Sequence, residues 1–406
     1  MNKNRIWFFI FLLVVMLAGC RPVTDTPRTT RPEEVGMDSI RLGRIDAVIN
    51  TAISKGDFPG AVILVGRKGK VVFRKAYGYR QWIPTRKKMT PDTIFDMASM
   101  TKPLATAASI LLLLEQGRLR LWDQVTDFIP AFKPFLKKEG GEEEQIGGAM
   151  IWHLLTHTSG LPPYTDEEGV KAVYGESCST ENLVHYIAQL DKISVPGEEF
   201  HYSCLGYITL AHIINQITGY TVAQYSLMNI YKPLGMMDTF YMPGEDVFDR
   251  CAPTEIQNGN LLIGKVHDPL ASLQGGVSGN AGLFSKADDL YRFARMLLNQ
   301  GELSGRRIFS PISVKRMTEI YGRSGFAGRG LGWDLDSDYS TNGGDLFGQE
   351  SYGHTGYTGT SIWIDPETEM VVIFLTNRVH PVDKGAVIST RSRVANVVAA
   401  SVIRTE

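Results

Sequence analysis

The chain has 406 residues, a formal net charge of −1, and 43% hydrophobic against 21% charged residues. Such a chain can bury a large core, and its near-neutral balance excludes a protein that tracks nucleic-acid phosphates through a basic stripe. Short basic clusters such as Arg86-Lys87-Lys88 read as solvated loop rather than phosphate contact.

The first elements are targeting signals. Lys3 and Arg5 precede an unbroken apolar run from Ile6 to Leu17. A membrane-spanning helix needs about 20 apolar residues, so this run fits the core of a secretory signal instead. It ends in Leu17-Ala18-Gly19-Cys20, which reads as a bacterial lipobox. Small residues at 18 and 19 admit the signal peptidase, and the Cys20 thiol would take a diacylglyceryl group, whose two acyl chains suffice for anchoring. Residues 1–20 are therefore expected to be a lipoprotein signal peptide. The mature protein would be tethered to a membrane of the bacterial cell envelope, on its periplasmic or extracytoplasmic side. Residues 21–36, polar and rich in Pro and Thr, read as a tether.

Residues 37–406 read as the folded domain. A helix opened by Asp38 or Ser39 carries Ile40, Leu42, Ile45, Val48, Ile49 and Ile53 on one face. Phe58-Pro59-Gly60 ends it. Ala61–Gly66 and Lys70–Tyr77 form a hairpin around Arg67-Lys68-Gly69. A second helix, apolar nearly all round and hence buried, runs from Ser99 to about Glu115. The middle reads as helices and long loops. Among these, residues 139–144 are expected to be a surface loop and 205–219 a helix stopped by Gly219. Thr360–Ile364 and Met370–Asn377 are strands, and an amphipathic helix spans about 385–403. The expected fold is α+β: an antiparallel sheet flanked by terminal helices, with a mostly helical insertion. The α/β part would be about 37–100 and 285–406, and the helical part about 101–284. Beyond Cys20, Cys178, Cys204 and Cys251 are odd in number and far apart, so the chain is no disulfide scaffold, although one bridge remains open.

Ser99-Met100-Thr101-Lys102 is the single S-x-x-K of the chain. Residues three apart share a helix face, so the Lys102 amine reaches the Ser99 hydroxyl. A serine needs a base to become a nucleophile, and a lysine serves if burial lowers its pKa. The apolar surroundings are expected to do so. A serine at a helix start also lends its N–H to a developing oxyanion.

Two further elements stand in order behind it: Pro196-Gly197-Glu198-Glu199-Phe200-His201-Tyr202-Ser203-Cys204, and His354-Thr355-Gly356-Tyr357 at a strand. Together with Leu154-Leu155-Thr156-His157-Thr158-Ser159-Gly160-Leu161, Gly275–Leu283 and Gly330-Leu331-Gly332-Trp333, they make the chain resemble the serine β-lactamase and penicillin-binding protein family. The likeness is greatest to class C β-lactamases, their esterase relatives and small penicillin-binding carboxypeptidases, and it covers about residues 35–400. It implies a β-lactamase/transpeptidase-like fold, Ser99 as nucleophile, Lys102 as its partner and Tyr202 as proton relay. Whether Lys102 or Tyr202 is the main base stays open. The resemblance also implies that His354, Thr355 and Gly356 wall the cleft, and that the Tyr357 N–H joins that of Ser99 in the oxyanion hole. No cofactor is implied.

The chain departs from the family at two places. Where the family's Tyr-x-Asn has an amide, this sequence has Cys204, a poor donor and acceptor, so it is not expected to orient Lys102. His354 replaces a strand lysine and removes a fixed charge that would hold a substrate carboxylate. Arg378 reads either as its substitute or as a strand-end surface charge. His153 and His157 lack the Glu and third ligand of a zinc site, so no metal is read. The glycines of 275–282 read as a tight loop near the cleft, and 328–332 as a turn. The implied function is a serine hydrolase forming an acyl-enzyme on an amide or ester. Peptidoglycan stem peptides ending in D-alanine are its first substrate, and the alternatives are a β-lactamase or a carboxylesterase. The Cys204 departure keeps a further class open, a penicillin-binding sensor without turnover.

Overall fold

The computed structural model describes residues 28–132, 135–139, 142–257 and 259–404. The signal peptide, the lipobox with Cys20 and residues 21–27 lie outside the described residues. The central element is a six-stranded antiparallel sheet. Its strands are β1 (Gly60–Arg67), β2 (Lys70–Gln81), β3 (Lys87–Lys88), β4 (Tyr352–Thr355), β5 (Ser361–Asp365) and β6 (Met370–Thr376), in the order β4-β5-β6-β1-β2-β3. Chain start and chain end thus meet at the β1–β6 ladder, where Ala61 faces Thr376 and Arg67 faces Met370.

All eight residues of β1 are buried. That pattern requires both faces of the sheet to be covered. On one face, α1 (Ile45–Lys55) and the C-terminal helix, Ile388–Ala399, pack Ile45, Ile49, Val394 and Val398 against Ile63, Val65 and Phe374. On the other, Val62, Leu64, Ile373 and Leu375 join the core of the helical part. There the helix Ala108–Glu115 (α2) lies beside Cys204–Thr218 (α3), and Ala287–Leu298 (α4) packs on β1 and β6. The closing helix is numbered α5. The described architecture is the α+β arrangement that the sequence implies, and among the described residues no helix is long and apolar enough to cross a membrane.

Four local expectations are corrected. Residues 28–36 are not a free tether: Thr30 N donates to Val71 O at 2.7 Å, Pro32–Val35 form a 3-10 turn, and Val35 is buried. The buried Arg67 fixes them by donating to the carbonyls of Val35 and Gly36. The first helix is broken at Gly43-Arg44 into Ser39–Leu42 and α1, which leaves Ile40 82% exposed. The segment expected to be a surface loop is a hairpin, Phe135–Glu139 with Glu142–Ile146. The helix from Ser99 is not one regular α-helix: Ala98–Met100 is 3-10, Lys102–Ala107 is π-helical, and only α2 is α. Pro103 has no N–H to give the regular ladder, and such bulges are frequent at functional sites. Cys178, Cys204 and Cys251 are free thiols.

Candidate active site

A cavity of about 840 Å³ opens between the edge strand β4 and the helical part. Its lining includes Ser99, Tyr202, Arg329, His354, Thr355 and Tyr357. Ser99 stands just behind Ala98, whose φ of +46° is a left-handed conformation that non-glycine residues rarely hold. The strain is supported from below. Asp96, buried, accepts hydrogen bonds from Ala98 N and His267 N, both at 2.8 Å. Burial pushes the Asp96 carboxyl up to about 6, against the two hydrogen bonds.

Lys102 is fully buried, and its Nζ donates to three acceptors: Ser99 Oγ at 3.0 Å, Asn280 O at 3.2 Å and Cys204 Sγ at 3.4 Å. The expectation that Cys204 cannot orient Lys102 is therefore corrected, because the polarizable sulfur is near enough to accept. The expected depression of the lysine pKa is also overturned. Burial, the largest cause, works downward, but the electrostatic influence of Cys204, Tyr202 and Asp268 and a hydrogen bond with the Tyr202 side chain together outweigh it, so the net displacement is upward. Lys102 rests as an ammonium. Cys204 rests as a thiol, because burial raises its pKa more than Lys102 lowers it.

Tyr202 lies under the Lys102 ammonium, with Nζ 5.1 Å from the ring centroid. His157 holds the tyrosine from behind. Their rings stack at 4.3 Å, and His157 Nδ1 accepts from Ser203 N at 3.0 Å. His153 Nδ1 likewise accepts, from Met150 N at 2.8 Å, so each of these imidazoles has a structural engagement. His201 pairs with Glu199 at 2.8 Å.

The opposite wall is main chain. Gly356 N donates to Thr360 O at 2.7 Å, Thr358 Oγ1 to Asp96 O at 2.7 Å and Thr360 Oγ1 to Met97 O at 3.1 Å. These bonds clamp the turn after β4 to the segment that leads into Ser99. A Cβ on Gly356 would stand 2.3 Å from Met97 O, so only glycine fits. His354 is buried on β4, and its Nδ1–H donates to Thr355 O at 2.8 Å. Burial first, then Arg329 and Lys102, hold its pKa well below the ordinary value, so the ring is neutral. The Tyr357 side chain is 57% exposed at the rim and bonds Asp383. Arg378 reaches the cavity, but its Nη1 is 2.6 Å from Asp383 Oδ1 and its guanidinium lies over the Tyr357 ring.

Other residues at the site carry no sequence signal of their own. Arg329, 1% exposed, pairs with Asp334 at 3.1 Å and lies 5.7 Å from the Tyr202 ring. Arg391 lines the cavity and donates to Gly356 O and Thr360 O. Asn280, wholly buried, lies in the tract read as a tight loop near the cleft.

A serine hydroxyl, a buried ammonium in contact with it and a phenol beside both can carry out nucleophilic acyl transfer. The comparisons agree with this chemistry. The family described as Beta-lactamase matches residues 45–396. The chain belongs to that family. A Salmonella typhimurium protein, provisionally named a D-alanyl-D-alanine carboxypeptidase, is 31% identical over 379 residues, which are 87% of this chain and 86% of the relative. A Salmonella paratyphi B protein of the same name is 32% identical over 381 residues. Among solved structures, the penicillin-binding protein homologue from Pyrococcus abyssi has a TM-score of 0.66 and 27% identity, with 87% of this chain and 76% of that chain covered. EstCE1, a hydrolase with promiscuous acyltransferase activity, has a TM-score of 0.70 at 24% identity, covering 89% of this chain and 99% of that chain; it bears on the fold alone. As a member of the family, the protein is a serine hydrolase.

Proposed function

We propose that this chain is a D-alanyl peptidase of the cell envelope, acting on peptides that end in D-alanine. The observation that carries the reading is the cavity over Ser99. At about 840 Å³ it admits a peptide end, and Arg329, Arg378 and Arg391 are in its lining. The sequence likeness to the Salmonella relatives points the same way. In this reading Ser99 Oγ attacks the scissile carbonyl, and the Lys102 ammonium, already donating to Oγ, stabilises the charge that develops there. The Tyr202 hydroxyl relays the Ser99 proton to the leaving D-alanine nitrogen as the C–N bond breaks. Water then cleaves the Ser99 ester through the same relay. The main-chain N–H groups of Ser99 and Tyr357 are assigned to the oxyanion.

A second reading, a carboxylesterase, is favoured by one feature. Arg378 and Arg391 are engaged by groups of the protein, Arg329 is paired with Asp334 through Nη1, and His354 is neutral. A neutral ester suits such a lining. The test is competition between an acylated D-Ala-D-Ala peptide, a chromogenic cephalosporin and an aryl butyrate on the purified full chain. Release of D-alanine with the highest kcat/KM supports the peptidase. Faster turnover of the aryl ester with no D-alanine released establishes the esterase, and rapid cephalosporin hydrolysis establishes a β-lactamase. Labelling by penicillin without turnover of any of the three leaves the sensor.

The apolar run from Ile6 to Leu17 and the lipobox support a membrane anchor through Cys20. Incorporation of labelled palmitate that disappears in Cys20→Ala is the expected result, whereas equal incorporation in both proteins would refute the anchor.

A further inference from the structure

The chain lacks an amide at position 204, where its family carries one, yet an amide reaches the same place from another loop. Asn280 is wholly buried. Its main-chain carbonyl accepts from Lys102 Nζ at 3.2 Å. Its side chain is held by a relay: Gln274 Nε2 donates to Ser278 Oγ at 2.7 Å, and Ser278 Oγ donates to Asn280 Oδ1 at 2.8 Å. Gln274 is itself fixed, through Leu270 O at 3.0 Å and Thr180 Oγ1 at 2.9 Å. With Oδ1 fixed this way, Nδ2 is turned toward the Cys204 sulfur, where it would stabilise a thiolate.

Nδ2 has no hydrogen-bond partner, although it is out of contact with solvent. Burying an unpaired N–H is costly, so an unpaired amide fixed by a three-residue relay at a reactive centre calls for a reason. The loop has little room for slack. Thr106 Oγ1 donates to Gly279 O at 2.7 Å, and a Cβ on Gly279 would meet Tyr207 O at 1.9 Å. The loop is thus pinned both to the lysine helix and to α3, which carries Cys204.

We infer that Asn280 is a positioning residue for the Ser99–Lys102 pair, its side-chain amide standing in for the one that position 204 lacks. The carbonyl of residue 280 takes one Lys102 proton. The amide faces the sulfur that accepts from another, and the third is left for Ser99. Cys204 and Asn280 then form one unit, in which a small soft side chain at 204 makes room for an amide that enters from residue 280.

The experiment is a double-mutant cycle on the full chain, with Asn280→Ala, Cys204→Asn and the combined variant. It reads the second-order rate of Ser99 labelling by a fluorophosphonate. This probe needs only the serine chemistry, so the outcome is independent of which substrate the enzyme uses in the cell. The expected loss in Asn280→Ala is about 10- to 100-fold, with the melting temperature recorded alongside. Cys204→Asn is expected to restore at least about tenfold of that loss, because it returns an amide to the same place. The conservative Asn280→Asp keeps the size and the carbonyl, removes the Nδ2 donor and sets a carboxylate near Lys102. The falling limb of its pH–labelling profile, where the Lys102 ammonium is lost, is therefore expected to move to higher pH, a change that a merely structural role does not produce. Independent effects of the two substitutions, with no rescue in the combined variant and an unmoved profile in Asn280→Asp, would overturn the inference. So would wild-type labelling in Asn280→Ala.

Discussion

The two walls of the cleft are built on different principles. The β4 side is main chain held by main chain and short hydroxyls: the 356–360 turn is stitched to Asp96 and Met97, and His354 contributes a neutral ring. On the helical side, charged and polar side chains from 99–102 and 202–204 and the main-chain carbonyl of Asn280 meet at one buried ammonium. The first wall is tightly clamped, and its charges, Arg378 and Arg391, are engaged with Asp383 and with the carbonyls of the turn. The second concentrates the proton chemistry where water is excluded, which is where each interaction is strongest. The contrast teaches that shape and reactivity are supplied by different parts of this fold. Damage to each wall should therefore leave a different signature.

The largest effect is expected on the helical wall. Lys102→Ala removes the donor to Ser99 Oγ and should slow fluorophosphonate labelling by about 10³-fold or more, with little change in the melting temperature. A labelling rate within tenfold of wild type would place the activating group elsewhere. Tyr202→Phe comes next, at about 10²- to 10⁴-fold, the range for loss of a general acid–base group. It keeps the ring stacked on His157, so its loss should fall on kcat rather than KM. A change confined to KM would make Tyr202 a binding residue. On the other wall, Gly356→Ala should act through shape. Its Cβ meets Met97 O at 2.3 Å, and the main chain must move, at roughly 1–3 kcal/mol of stability. Thermal unfolding and labelling are expected to fall together. A labelling defect without a stability defect would show that the sheet wall takes part in the chemistry.

The two walls also differed in how far the sequence revealed them. His354-Thr355-Gly356-Tyr357 is contiguous and on a strand, so its residues were legible as a unit, as was the Ser99–Lys102 spacing. The sheet followed from its β-branched runs, and α3 showed its stop signal in Gly219. What escaped was whatever depends on meetings across the chain. Asn280 lies 178 positions from Lys102, and only folding makes its carbonyl a ligand of the amine. The upward displacement of Lys102 needs the placement of Cys204, Tyr202 and Asp268, whereas an apolar helix read alone predicts the opposite sign. The 28–36 segment has the composition of a linker, and it packs because the remote Arg67 supplies donors to its carbonyls.

The smallest expected effect lies on the far side of the helical wall, outside the cavity lining. His153 is 5% exposed, its Nδ1 accepts from Met150 N, and burial brings its pKa down to about 4. A depressed folded pKa means that the neutral ring is the form the fold accepts. Its contribution to stability is therefore complete above the ordinary histidine value of about 6.5, and is lost as pH falls through about 4. Protonation would also turn Nδ1 into a donor facing another donor, the Met150 amide. His157 and His354, buried beside the cavity, are also held well below the ordinary value, so they join His153 in losing stability in acid. His153→Gln can keep an acceptor for Met150 N without a titrating ring. It should move the acid-unfolding midpoint, followed by circular dichroism from pH 7 to pH 3, down by about 0.3 pH unit or more. An unmoved midpoint would shift the acid sensitivity from this wall to the buried histidines beside the cavity.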